Sequence, residues 1–133
     1  MSYPIQPSKF SLNLRGTLLH LQTPKIMGIL NITPDSFYDG GQYVSLQKAS
    51  HRVETMLKEG ADIIDIGAMS SRPYSREIEV EEEMSRVRKY LPQLIKDFPN
   101  AIWSVDTYRA EVADFALNTG VQMINDITSG SKD

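Results

Sequence analysis

Residues 61–78 read ADIIDIGAMSSRPYSREI, and from Val80 the spacing of apolar residues changes. Ala61 to Ile66 is apolar at nearly every position and short, which predicts a strand buried on both faces, with Asp65 near its C-terminal end. The following GAMSSRPYSREI is a polar loop with a central proline. From Val80 to Phe98 the apolar positions Met84, Val87, Leu91, Leu94 and Ile95 recur at helical spacing. Glu81, Glu82 and Glu83 sit where the positive end of that helix favours acids. Pro92 falls in its middle, so a kink or two shorter helices are expected. Strand, loop and helix thus succeed one another within forty residues.

The same plan recurs on either side. Ile26 to Ile32, IMGILNI, is a compact apolar run ended by Thr33-Pro34 and followed by polar, glycine-containing sequence through Gly41. Leu46, Ala49, Val53, Met56 and Leu57 then share one helical face, with Ser45 as its expected N-cap and Gly60 as its stop. Downstream, Asn100 marks a turn and Ile102 to Val105 a third strand ending in Asp106-Thr107. Thr107 is the expected N-cap of a third helix carrying Val112, Ala113, Phe115, Ala116 and Leu117, stopped by Asn118-Thr119-Gly120. Val121 to Ile127 is the fourth strand, carrying Asn125 and Asp126. Ahead of all this, Phe10 to Leu14 alternates, Arg15-Gly16-Thr17 turns, and Leu18 to Leu21 returns, which predicts a hairpin.

Strands alternating with helices predict an α/β fold with a parallel sheet. Right-handed crossovers place all the strand C-terminal ends at one rim. Asn31, Thr33 to Asp39, Asp65, Ser70 to Arg72, Asp106, Asn125 and Asp126 collect there, and in a (β/α)8 barrel that rim carries the active site. The expected architecture is a partial TIM barrel: a hairpin over 1–25 and the first four β/α units over 26–133. Asp and Asn at strand ends also serve as turn formers and helix caps, and for each residue taken singly that reading has equal weight. Four successive strands delivering one favour a site.

Composition removes several function classes. A chain of 133 residues with 41% apolar and 23% charged content is an ordinary globular domain. Its formal charge of −3, from 14 basic and 17 acidic residues, gives no case for a nucleic-acid or anionic-membrane partner. No run approaches the roughly 18 apolar residues of a membrane span. Pro4, Gln6, Pro7 and Lys9 interrupt any signal-peptide core, so a cytoplasmic location is expected. Cysteine is absent, which excludes disulfides, thiolate nucleophiles and cysteine-held metals. The two histidines, His20 in the hairpin and His51 in the first helix, lie away from the rim and are read as non-catalytic. Tyr108, beside Asp106, is read as packing.

Gly28 to Gly41, GILNITPDSFYDGG, resembles the first signature of the dihydropteroate synthases. Gly60 to Gly67 followed by Ser70-Ser71-Arg72-Pro73 is similar to their second. Ser104-Val105-Asp106-Thr107 and Ile124-Asn125-Asp126-Ile127 resemble the family's third and fourth strand ends. The resemblance begins near Ile26 and continues in order to the chain end. It implies a (β/α)8 barrel with a hairpin covering its bottom. It also implies a reaction: the 4-aminobenzoate amine attacks the methylene of (7,8-dihydropterin-6-yl)methyl diphosphate, and diphosphate leaves with help from Mg2+.

Carried onto this chain, the resemblance implies that Asp106 and Asn125 bind the pterin, Ile127 forms an apolar wall, and Asn31 contacts magnesium in the diphosphate site. Asp39 corresponds to the loop aspartate that stabilises the developing cation and organises metal and diphosphate. Asn31 and Asp39 are therefore the catalytic candidates. Phe37 corresponds to the aromatic that packs on the aminobenzoate ring, and Ser71, Arg72 and Pro73 to the segment forming the aminobenzoate and sulfonamide pocket. Asp65 is expected deeper, orienting its neighbours, and Asp35 and Ser36 are read as turn residues. The second loop departs from the family's Gly-Glu-Ser-Thr-Arg-Pro-Gly. Met69 replaces the acid, Ser71 the threonine and Tyr74 a glycine, which removes a charge and acceptor near the rim and constrains a backbone position that glycine leaves free.

A complete barrel takes about 250 residues. The expectation is thus a fragment of a dihydropteroate synthase carrying half the site and inactive alone. The substrates of the complete enzyme would be its partners, with homodimerisation or edge-strand association as further possibilities. Two alternatives remain open at this point. One is a methyltetrahydrofolate-binding methyltransferase barrel, against which the PDSF and SRP loops speak. The other is a noncatalytic half-barrel that serves association.

Overall fold

The computed structural model describes residues 10–33, 42–69 and 77–132. The first described element is an antiparallel hairpin of β1 (Ser11–Leu14) and β2 (Thr17–His20). Its two turn residues, Arg15 and Gly16, both take positive φ, 54° and 89°, the twist that a two-residue hairpin turn demands. Asn13 Oδ1 accepts the Gly16 amide at 2.8 Å and closes the turn. The Arg15 side chain is anchored far along the chain. It donates to the carbonyls of Leu117 at 2.6 Å and Val121 at 3.3 Å.

Four strands follow: β3 (Met27–Asn31), β4 (Ile63–Gly67), β5 (Ile102–Asp106) and β6 (Met123–Asn125). They alternate with α1 (Gln42–Lys58), α2 (Val80–Asp97) and α3 (Ala110–Thr119). The sheet is wholly parallel in the order β3-β4-β5-β6. Each crossover advances one strand in the same direction, which is how a (β/α) barrel grows; a doubly wound sheet reverses at a switch point. The fold is therefore the expected partial α/β barrel. Arg15 meets the chain at the end of α3 and just before β6, so the hairpin docks at the N-terminal, bottom rim of the sheet.

Strand parity separates two environments. Leu30, Ile64, Ile66, Trp103 and Val105 face the helices and pack with Ala49, Val53, Val87, Leu91, Leu94, Val112 and Ala116 into one core. The opposite face is layered by the register. Met27, Ile63 and Ile102 form its lowest layer, Ile29, Asp65, Ser104 and Met123 the next, and Asn31, Gly67, Asp106 and Asn125 the top. Ile29 remains 61% exposed and Met27 37%.

Several boundaries differ from expectation. Ser45 does not cap α1, which starts three residues earlier at Gln42, and Ser45 lies buried within its first turn. Pro92 does not divide α2, which is assigned as one helix. Pro92 and Arg88, whose carbonyl loses its helical donor, are both exposed, so water can replace the missing bond. Arg109 rather than Thr107 occupies the N-cap position of α3; the buried Thr107 hydroxyl lies two residues ahead and accepts the Arg109 amide at 3.1 Å. The fourth strand is shorter than 121–127, because the chain turns at Asp126 as soon as its carboxylate captures the amides of Thr128 and Gly130.

Candidate active site

The top layer is the expected rim. Asn31 pairs in register with Gly67, Gly67 with Asp106, and Asp106 with Asn125, so four adjacent strand ends share one level. The absence of a side chain at Gly67 opens a gap in the row. A methyl group there would stand 3.7 Å from Asn31 Oδ1, 3.9 Å from Asp106 Cβ and 4.0 Å from Asp106 Oδ2. The Asn31 carboxamide and the Asp106 carboxylate therefore flank a common space.

Asp106 is partly buried, and its carboxyl titrates above the usual value chiefly because burial disfavours the charge. The negative fields of Asp65, Glu83 and Asp126 push in the same direction. Beneath the row, Asp65 is only 3% exposed. Its Oδ2 accepts the Asn125 side-chain amide at 3.3 Å, a long contact. Its Oδ1 and the hydroxyl of its cross-strand neighbour Ser104 are buried with no hydrogen-bond partner among the described residues. Such atoms are costly in a finished interior and mark a surface that still has polar groups to bind.

Other residues resolve toward structure. Asp126 Oδ1 accepts both the amide and the hydroxyl of Thr128, at 2.8 and 2.7 Å, and Oδ2 accepts the Gly130 amide at 2.7 Å. The Thr128 hydroxyl foremost, with these amides, holds its carboxyl below the usual range, so Asp126 is a turn former. Ile127 lies in that turn, 85% exposed, and the described structure brings nothing against it as a wall. Tyr108 donates its hydroxyl to Glu77 and stacks under Arg109, a packing role. His20 contacts Ser11 on the hairpin, and His51 is exposed on α1. Phe37, Asp39, Ser71, Arg72 and Pro73, together with Asp35 and Ser36, lie outside the described residues.

The structure adds a group that sequence reading missed. Glu83 of α2 is fully buried and accepts from Thr107 Oγ1 at 2.6 Å and from Arg109 at 2.9 Å. On sequence it was one of three successive glutamates at a helix start, and only its i+4 relation to Val87 on the core face distinguished it.

Residues 27–133 match the family described as pterin binding enzyme. The chain belongs to that family. Among its curated relatives is the dihydropteroate synthase of Staphylococcus haemolyticus, 52% identical over 109 residues, which cover 82% of this chain and 40% of the relative. The Xanthomonas albilineans dihydropteroate synthase, solved with 4-aminobenzoic acid, superposes with a TM-score of 0.81 at 38% identity, over 92% of this chain and 45% of that one. A Clostridium difficile dihydropteroate synthase, solved in the presence of pteroic acid, gives 0.76 at 44% identity, over 82% and 41%. This chain spans about 40% of the length of such curated relatives.

Proposed function

We propose that this sequence forms the pterin-facing half of a dihydropteroate synthase site. The complete enzyme would condense (7,8-dihydropterin-6-yl)methyl diphosphate with 4-aminobenzoate to give 7,8-dihydropteroate and diphosphate. The supporting observation is the in-register row Asn31-Gly67-Asp106-Asn125 at four adjacent strand ends.

A dihydropterin ring presents several N–H donors on one edge, and it binds well only where acceptors meet them. Asp106 offers two carboxylate oxygens, and ring donors replace the solvation that burial removes. Asn125 offers a carbonyl and an amide; one amide hydrogen points to Asp65, leaving the carbonyl and the second hydrogen for the ring. Ile127 would supply an apolar contact once a ring is present. The bond broken joins the pterin methylene to the diphosphate oxygen. The bond formed joins that carbon to the 4-aminobenzoate nitrogen, which gives up a proton. Asp39 is assigned to stabilising positive charge on the methylene, Phe37 to stacking on the aminobenzoate, and Ser71, Arg72 and Pro73 to its pocket.

Magnesium fits the donor set at Asn31. The Asn31 carboxamide oxygen is a hard donor facing the gap over Gly67, with the Asp106 carboxylate across it. No cluster of three acidic or histidine side chains that could hold a metal is found among the described residues. A cation bound through one or two protein oxygens plus substrate phosphates is the usual magnesium arrangement. Bound there, it would neutralise charge accumulating on the departing diphosphate.

The row itself contains no cation to pair with a diphosphate. The exposed Ile29 and Met27 of the inner face are also suited to packing against further barrel elements. Both features favour a half-site. A cytoplasmic location belongs to the same reading; among the described residues no helix is long and apolar enough to cross a membrane.

The test is a completed barrel, in which this sequence is followed by the remainder of a full-length relative. It should form dihydropteroate with magnesium and both substrates, and Asp106→Ala should chiefly raise the KM for the pterin diphosphate. The 133-residue chain alone should show no turnover above background. Isolated-chain turnover within about tenfold of the completed barrel would show that the chain is more than half a site, given that one lost donor typically costs about 10²–10³ in rate.

A further inference from the structure

We propose that Glu83 is a positioning residue for the pterin-binding pair Asp106 and Asn125, acting through Thr107 and Arg109. The inference rests on the functional reading above and extends it to residues outside the rim.

Both oxygens of the buried Glu83 carboxylate are committed. Oε1 accepts from the Thr107 hydroxyl at 2.6 Å, and Oε2 accepts from the Arg109 guanidinium at 2.9 Å. Thr107 is the residue immediately after Asp106, and its backbone amide donates to the Asn125 carbonyl at 3.1 Å. One residue thus links the exits of β5 and β6, and Glu83 holds that residue from α2. Arg109 reinforces the hold: its own amide donates to Thr107 Oγ1 at 3.1 Å, and its second nitrogen donates to the Ile78 carbonyl at 2.5 Å. Residues 107–109 belong to neither strand nor helix, and past the Thr107 amide no backbone ladder between strands fixes them. The side-chain network does so instead.

Stability alone is a poor reason for this arrangement. A buried ion pair often contributes no more than well-packed apolar residues of the same volume, because desolvation offsets the attraction. Such a pair does select one geometry, since any other leaves a buried charge without its partner. Here the selected geometry sets the direction in which Asp106 and Asn125 leave their strands. A ligand held by donors and acceptors loses affinity steeply when those groups are misplaced by about an ångström.

The experiment combines amide exchange at Thr107 in the 133-residue chain with steady-state kinetics in the completed barrel. Thr107→Val and Glu83→Gln should each accelerate exchange of the residue-107 amide and raise the KM for the pterin diphosphate about tenfold, the scale of one lost polar contact. The KM for 4-aminobenzoate should move far less. Thr107→Ser, which restores the hydroxyl, should return both readouts to within about twofold of the parent. Val87→Ala provides the comparison, weakening the core beside Glu83 without touching the network: Tm should fall and pterin KM should hold. Unchanged exchange and pterin KM in both Thr107→Val and Glu83→Gln would overturn the assignment. So would a Val87→Ala shift in pterin KM matching that of Thr107→Val. If the unsubstituted completed barrel makes no dihydropteroate, the functional reading fails. The exchange measurement then decides alone whether Glu83 holds the Thr107–Asn125 link.

Discussion

Replacing Gly67 with alanine should leave the fold intact, or slightly stabilise it, and damage the site. The added methyl would lie 3.7–4.0 Å from Asn31 Oδ1, Asp106 Cβ and Asp106 Oδ2, all ordinary contact distances. Gly67 is not among the glycines of positive φ, and it lies within a strand, so its backbone suits any L-residue. A compatible glycine-to-alanine change stabilises by about 0.4–1 kcal/mol through the unfolded chain. With an unfolding entropy of about 2.1 cal/mol/K per residue, that corresponds to a Tm rise of about 1.5–3.5 °C in a chain of this size. The same methyl occupies the space between the Asn31 oxygen and the Asp106 carboxylate, where a ring edge or a hydrated cation would sit. Loss of one charge-assisted contact there corresponds to about 1.5–3 kcal/mol, or roughly 10–150-fold in affinity. Thermal unfolding of the chain and pterin diphosphate KM in the completed barrel measure the two effects. A Tm fall of more than about 7 °C, equal to roughly 2 kcal/mol, would show that the packing around Gly67 is misdescribed. An unchanged KM would show that the gap is not where the ligand binds.

Asp106→Asn should flatten part of the pH dependence of stability in the ligand-free chain. Because burial and acidic neighbours raise its folded-state pKa, Asp106 contributes stability that is complete below the ordinary carboxyl value of 3.8 and is lost as pH rises through the folded value. Asp126, lowered by its bonds to Thr128, has the opposite slope, so the difference between parent and Asp106→Asn unfolding curves isolates Asp106; a difference independent of pH contradicts the assignment. Arg15→Ala removes the two bonds from the hairpin to the Leu117 and Val121 carbonyls and with them a cation at the C-terminal end of α3, whose last turn has no basic residue. It should cost about 1–2 kcal/mol, or about 4–7 °C in Tm, and an unchanged Tm would mean that these bonds do not hold the hairpin. In the completed barrel, Asp39→Ala should lower kcat by about 10²–10³ with little change in pterin KM, measured by single-turnover kinetics; an effect confined to KM would make Asp39 a binding group.

Much of the fold was legible because it depends on local pattern. The short, largely apolar runs at 27–31, 63–67 and 102–106 and the helical spacing between them point to a parallel sheet covered by helices. The rim was legible for the same reason: in a parallel sheet with right-handed crossovers, every strand end arrives at one side. Helix starts were less accessible. Ser45 is suited to capping by type yet lies inside α1, and Thr107, whose hydroxyl accepts the Arg109 amide, also donates to the buried Glu83 carboxylate, a distant partner that local pattern does not reveal.

By itself the sequence determined which residues alternate, which strand ends carry amides and acids, and, through its ordered motifs, which family the chain belongs to. Only the tertiary structure decided which of those polar groups act together. Asp126 carries the same carboxylate as Asp106 but spends it on its own turn, within four residues. Glu83 was one acid among three at a helix start until packing enclosed it against Thr107 and Arg109, 24 and 26 residues away. Asp65 and Asn125, 60 residues apart, meet because two intervening crossovers each advance by one strand. A side chain's type is written in the chain, whereas its partner depends on distances that exist only after the backbone has closed.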